Sequence, residues 1–202
     1  MNISLPMTRP GMTVGLLGGS FDPPHVGHVH ITLEALKRFG LDRVWWLVSP
    51  GNPLKAHGPA PLERRMAAAR LIMDHPRVEI SDFESQIGSR YTAQTLAALR
   101  AARPMVRFVW LMGADNMRQF DQWQDWREII ETVPIGVLAR PEMRTPARRS
   151  KAARVYADHR LKGKFSQLLG QSDPPCWCFV NVPMLNISST RLRNLGYWPE
   201  SL

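Results

Sequence analysis

The sequence predicts an α/β fold: a doubly wound, parallel sheet in one domain, with a small helical part at the C-terminal end. Two observations carry this. Short apolar runs rich in β-branched and aromatic residues alternate with segments of helical period. The runs are also apolar throughout, as strands are when helices cover both faces of a sheet.

Taken in order, Thr13-Val-Gly-Leu-Leu17 reads as a first strand that ends in Gly18-Gly19. Ile31, Leu33, Ala35, Leu36 and Phe39 suit a helix from Val26 to Phe39, stopped by Gly40. Val44-Trp-Trp-Leu-Val48 is a second strand, followed by a Pro/Gly loop from Ser49 to Pro61. Pro61 and Glu63 open a helix expected to run to about His75. Val78 to Phe83 reads as a strand, and Thr92 as the N-cap of a helix ending at Ala102. Val106 to Met112 is a central strand and Ile135 to Ala139 a further one. Cys176 to Val180 is strand-like, and Ser188-Ser189-Thr190 would cap a short last helix. Residues 1–12 read as a loose tail before a single domain over 13–202. They lack the apolar stretch of a secretory signal, which points to a cytoplasmic protein.

Composition excludes several classes. No apolar run reaches the roughly 18 to 20 residues that span a bilayer. The two cysteines, Cys176 and Cys178, have neither zinc-knuckle nor CxxC spacing; neighbours in a strand point to opposite faces, and both are read as structural. The net charge of +9 invites a nucleic-acid partner. However, Arg140 to Lys164 holds nine Lys or Arg against Glu142 and Asp158, so this segment carries +7 and the rest only +2. Only Tyr156 interleaves it with an aromatic ring, which suits a solvated basic helix or loop better than an RNA-binding module.

The chemistry concentrates in Gly18-Gly-Ser-Phe-Asp-Pro-Pro-His-Val-Gly-His28. A strand delivers two glycines that let a phosphate approach the backbone, and two prolines stiffen the turn. His25 and His28 then begin a helix, where unpaired N–H groups and the dipole favour anions. Imidazoles three residues apart face the same point. A metal pair would want a third ligand, and only Asp22 is near. Thr190 and Ser189 with Arg193 one turn on form a second possible anion site, beside the plain alternative of N-capping. Trp123 lies in a polar stretch, which favours a partly exposed indole for stacking on a flat ring; Trp126 suits the core better.

The eleven-residue motif is identified as the signature of the nucleotidyltransferases that use a histidine pair. The resemblance implies a Rossmann-like fold, a nucleoside triphosphate donor and direct attack on the α-phosphorus without a covalent enzyme intermediate. The signature is shared with pantetheine-phosphate adenylyltransferases and glycerol-phosphate cytidylyltransferases. Four further segments resemble nicotinate-nucleotide adenylyltransferases: Pro50-Gly-Asn-Pro-Leu-Lys55; Ser89-Arg-Tyr-Thr-Ala-Gln-Thr95; Gly113-Ala-Asp115 with Trp123 eight residues beyond the aspartate; and Ile187-Ser-Ser-Thr-Arg-Leu-Arg193.

That resemblance implies ATP and nicotinic acid mononucleotide as substrates, and no nucleic-acid or membrane partner. Magnesium would be held mainly by the ATP phosphates rather than by protein ligands. His25 and His28 would be catalytic. ATP would meet Gly18, Gly19, Ser20, Phe21, both histidines, Lys55, Ser188, Ser189, Thr190 and Arg193. The acceptor would meet Asn52, Thr92, Asp115 and Trp123, its carboxylate received by backbone near Thr92. Asp115 would orient ribose hydroxyls or the magnesium shell. Gln124 departs from the family, which has Tyr there, and relatives often continue past Arg193 with a terminal helix. Oligomeric state is left open.

Overall fold

The computed structural model describes residues 4–51, 58–139, 147–183 and 187–198. Seven strands form one parallel sheet: β1 (Thr13–Gly19), β2 (Arg43–Val48), β3 (Val78–Ser81), β4 (Arg107–Gly113), β5 (Ile135–Ala139), β6 (Arg160–Leu161) and β7 (Trp177–Asn181). Their order is β3-β2-β1-β4-β5-β7-β6. The chain starts at the centre, winds outward through β2 and β3, then returns to the other side of β1 as β4. The carboxyl ends of β1 and β4 therefore flank the switch point, where sheets of this kind bind ligands.

Helices on both faces explain the unbroken apolar strands. Val14, Leu16, Trp45, Trp110 and Val137 face a core built with α4 (Thr92–Ala102), α5 (Ala114–Arg118), α6 (Trp126–Thr132) and α7 (Lys151–Val155). Leu17, Val44, Trp46, Leu111 and Val180 face the opposite core. It is closed by α1 (Val26–Arg38), α2 (Leu62–Ile72) and a 3₁₀ segment Gly163–Gln171 that buries Leu169. Cys176 and Cys178 are free and buried on this second side. Two positions apart, they share a face rather than splitting across the sheet, as a two-residue period requires.

Several boundaries move from expectation. The second helix stops at Ile72, and β3 stops at Ser81. Phe83 opens a one-turn helix α3 (Phe83–Gln86) instead of ending the strand. The N-cap of α4 is Tyr91, without a side-chain cap bond, and Thr92 is the first helical residue. Helices α5, α6 and α7 have five to seven residues, too short to display a helical period in sequence. Residues ahead of β1 make contacts of their own: the Ser4 N–H donates to Gln86 Oε1 at 2.7 Å, Gly11 N–H to the Met105 carbonyl at 2.8 Å, and Leu5 packs on the core.

The described part of the basic segment packs its small residues and points its charges outward. Ala152, Ala153 and Tyr156 are buried, while Arg149, Lys151, Arg154, Lys162 and Lys164 are exposed. Ser150 caps α7 by accepting from the Ala153 N–H at 3.3 Å. Tyr156 bonds Glu131 through its hydroxyl and receives the Trp177 indole N–H on its carbonyl at 2.6 Å.

Candidate active site

β1 delivers Gly18, Gly19 and Ser20 to the wall of a cavity of about 410 Å³. Gly18 has to be glycine because the Trp110 indole of β4 crosses it: a Cβ there would sit 2.5 Å from Trp110 Cη2. Phe21 follows in the left-handed region at φ 47°, costly for a bulky residue and sustained by burial of its ring. That ring stacks on Trp46 at 4.7 Å and tilts against His28 at 4.8 Å. Phe21 is thus a support under His28, with its ring buried between that imidazole and Trp46.

His25 and His28 form a reciprocal cap at the start of α1. His25 Nδ1 accepts from the Gly27 N–H, and His28 Nδ1 accepts from the His25 N–H, both at 3.1 Å. The rings stack 3.9 Å apart. Gly27 is required by the same packing, since a Cβ would lie 2.9 Å from the His25 ring. Burial lowers the His25 pKa, and burial together with the neighbouring His25 pushes His28 down to about 3. Both imidazoles are therefore neutral near pH 7. With each Nδ1 occupied by a backbone donor, the ring hydrogen sits on Nε2. Two Nε2–H donors on stacked rings at a helix N-terminus suit phosphate oxygens.

The C-terminal motif folds onto this turn. In α8 (Ser189–Asn194), Ser188 caps the helix by accepting from the Arg191 N–H at 3.2 Å, and Ser189 donates to the Pro23 carbonyl at 2.8 Å. Arg193 bonds the Asp22 carbonyl, lies 3.4 Å from its carboxylate, and donates to Thr190 Oγ1 at 3.3 Å. Asp22 also accepts from the Trp198 indole at 2.7 Å and the Ala60 N–H at 3.3 Å. Its carboxylate is thus committed to protein donors.

The opposite wall of the cavity comes from the turn before α4 and from the segment after β4. Arg90, Tyr91, Thr92, Trp123 and Gln124 line it. Trp123 is half-buried and packs perpendicular to Trp110 and Phe120, whereas Trp126 is buried in the core. Asp115 is exposed in the first turn of α5, with its carboxylate over Gly113, and does not line the cavity. His25, His28 and Arg193 also lie outside its lining, next to it along the Gly18–Asp22 turn. Asn52 and Lys55 fall outside the described residues.

Two residues missed by sequence reasoning shape the site. Arg65 of α2 is 1% exposed and donates to the carbonyls of Ser20 (2.6 Å), Ser49 (2.7 Å) and Ala60 (2.7 Å), tying the ends of β1 and β2 together. Its basic neighbour Arg64 and surface-like surroundings in sequence hid it. Glu84 is 5% exposed, lines the cavity, and meets Thr95 Oγ1 at 3.2 Å; burial raises its pKa to about 7. Among the described residues no three His, Cys, Asp or Glu side chains cluster as a metal site.

A parallel sheet with this strand order and paired imidazoles after its first strand define a class, the cytidylyltransferase-like proteins, whose family model matches residues 16–195. The chain is 65% identical to the "Probable nicotinate-nucleotide adenylyltransferase" of Ruegeria pomeroyi over 98% of its own length and 93% of that protein's. It is 62% identical to the same-named protein of Roseobacter denitrificans, covering 98% of this chain and all of the relative (100%). The chain belongs to the nicotinate-nucleotide adenylyltransferase family. The fold agrees with the nicotinic acid mononucleotide adenylyltransferase of Plasmodium falciparum, solved with APC and with NaAD. Its TM-score is 0.67 at 15% identity, covering 91% of this chain and 83% of that one.

Proposed function

We propose that this chain transfers the adenylyl group of ATP to nicotinic acid mononucleotide, giving nicotinic acid adenine dinucleotide and pyrophosphate. An oxygen of the acceptor phosphate attacks the α-phosphorus in line. The bond from that phosphorus to the bridging oxygen breaks, and pyrophosphate leaves with the electron pair. Membership of the family sets the reaction; the neutral, Nε2–H-bearing histidine pair beside the cavity is the observation that carries its placement here.

The triphosphate would lie along Gly18, Gly19, Ser20 and the Phe21 backbone, where His25 and His28 donate to oxygens that gain charge as pyrophosphate departs. Lys55, Ser188, Ser189, Thr190 and Arg193 complete the donor side; Arg193 exchanges Asp22 for a phosphate. The acceptor would occupy the cavity, its ring against Trp123 and its carboxylate toward the first turn of α4 at Thr92, with Asn52 and Asp115 toward its ribose and phosphate. Catalysis is then positioning and charge stabilisation.

The residues fit a metal that arrives with the nucleotide. Asp22 is already committed, and the described residues offer no cage. Magnesium bound to the phosphates would neutralise charge on the leaving pyrophosphate. No helix among the described residues is long and apolar enough to cross a membrane. The cytoplasm is the proposed location and 13–202 the proposed catalytic unit. The test is pyrophosphate release from ATP across a panel of phosphorylated acceptors. Fastest release with nicotinic acid mononucleotide is expected, and a faster reaction with phosphopantetheine overturns the acceptor assignment.

A further inference from the structure

Among the described residues Glu84 is the carboxyl group that lines the cavity, and the mechanism above does not use it. It reaches the cavity from α3, yet 5% of its surface is exposed. Among the described residues no ion pair joins it. Its Oε1 starts a chain of side chains: Thr95 Oγ1 at 3.2 Å, then Ser89 Oγ at 3.4 Å, then Gln94 Oε1 at 3.2 Å. Each hydroxyl owns one hydrogen. The Thr95 hydroxyl can donate to Glu84 Oε1, but the Tyr91 carbonyl at 3.1 Å and Ser89 Oγ compete for its single hydrogen, and a proton on Glu84 fills their shared contact when that hydrogen turns to Tyr91. The chain also sets the turn, because Ser89 Oγ accepts from the Tyr91 N–H at 3.2 Å, and Tyr91 and Thr92 face the same cavity.

We infer that Glu84 is a positioning and specificity residue for the acceptor: buried in the cavity wall without a cation, and tied through Thr95 and Ser89 to the turn at 89–92, it holds a proton and keeps that cavity free of negative charge, so that a ring bearing a carboxylate is admitted. The inference rests on the proposed reaction, in which the nicotinate ring occupies this cavity. An ionised Glu84 would repel that carboxylate and accept from the N–H₂ of a nicotinamide ring instead. Selectivity for the acid over the amide is therefore switched by the protonation of one buried side chain. Burial places that event at about pH 7.

Few other charges face Glu84. Arg90 lines the cavity but is exposed to solvent. The phenol of Tyr91 is the other titratable group in the lining. On α4 the group presented to Glu84 is the Thr95 hydroxyl. Asp82, just before α3, is held by the Gln86 amide at 2.6 Å. Titration of His25, His28 or the mononucleotide phosphate acts on both acceptors alike and cancels in their ratio.

The experiment measures kcat/KM for nicotinic acid and nicotinamide mononucleotides from about pH 6 to about pH 8.5, in the wild-type chain and in Glu84→Gln, whose amide still donates to Thr95 without titrating. The wild-type acid-to-amide ratio is expected to fall by about tenfold or more as pH rises, from one like charge placed close to another in a poorly solvated cavity. In Glu84→Gln the ratio stays at the wild-type low-pH value across the range. A wild-type ratio flat with pH, or an equal slope in the variant, overturns the inference. If Glu84→Gln does not fold, calorimetry of wild type at about pH 7.5, in buffers of different ionisation enthalpy, replaces it. Nicotinic acid mononucleotide should then take up more protons on binding than the nicotinamide analogue, and equal uptake overturns the inference. Failure to form any nicotinic acid adenine dinucleotide would overturn the reaction itself. A dinucleotide formed at a pH-flat ratio overturns only the role of Glu84.

Discussion

Replacing Arg65 by Met tests how the cavity wall is held. The guanidinium is 1% exposed and donates to three carbonyls, on Ser20, Ser49 and Ala60, at 2.6 to 2.7 Å. Met keeps most of the apolar volume but leaves those carbonyls without their donor. Hydrogen bonds to a charged group contribute about 1.5 to 3 kcal/mol each. Burial of the guanidinium opposes them, as the downward push of burial on its pKa shows, so the sum of three is an upper bound. A net loss of about 3 to 5 kcal/mol is expected, from about 1 to 3 kcal/mol for each of the carbonyls left unsatisfied, less the relief of no longer burying a charge. For about 200 residues, at roughly 2 to 4 °C per kcal/mol, this lowers Tm by about 6 to 20 °C. Urea denaturation followed by circular dichroism, with thermal melts, measures it. Arg65→Lys should recover only part of the loss, because one ammonium cannot span three carbonyls on two sides of the fork. Since Ser20 and Ser49 line the cavity, KM should rise in Arg65→Lys even where the fold is retained. A loss below about 1 kcal/mol in Arg65→Met would refute the reasoning, being the size of an ordinary solvent-exposed hydrogen bond.

Three further outcomes are expected. His25→Ala and His28→Ala should each slow pyrophosphate release by about 10²- to 10³-fold with circular dichroism unchanged, and a folded variant of wild-type rate would remove that histidine from the mechanism. His28 should withdraw stability as pH falls below about 6.5, because the unfolded imidazole takes up a proton that the native ring refuses until about pH 3. Glu84 acts oppositely, stabilising below its unfolded pKa and losing that contribution as pH rises through about 7, so the His28 effect is read as the difference between wild type and His28→Gln in urea midpoints. An identical pH slope in that variant would refute it. Gly18→Ala puts a Cβ 2.5 Å from the Trp110 indole, which should cost about 1 to 3 kcal/mol and raise acceptor KM as the ring is displaced; an unchanged melt and KM would show that the indole yields freely.

The parts legible in the sequence are those whose signal is local. Strands such as Val44–Val48 declare themselves because burial on both faces demands a continuous apolar run, and the helix after His25 because its apolar period spans three turns. The histidine pair was legible for the same reason, since two imidazoles three residues apart on one helix must share a face, and the structure adds the tautomer that backbone donors impose. Short helices were not legible: α5 to α7 offer one or two turns, held by packing rather than propensity. Nor were Arg65 and Glu84, and here the reason is chemical. An arginine beside another arginine, or a glutamate in a polar stretch, reads as solvated surface by default, because charged side chains are rarely buried without partners. What makes each exceptional is a set of partners distant in sequence: Arg65 is bound to carbonyls 45 and 16 residues before it, and Glu84 to a hydroxyl eleven residues after it. Those partners meet only once the sheet order has brought the ends of β1 and β2 beside the turn that starts α4. In the proposed reaction the glycine motif marks the place of the triphosphate, while selection of the acceptor would depend on contacts that exist only in the folded chain.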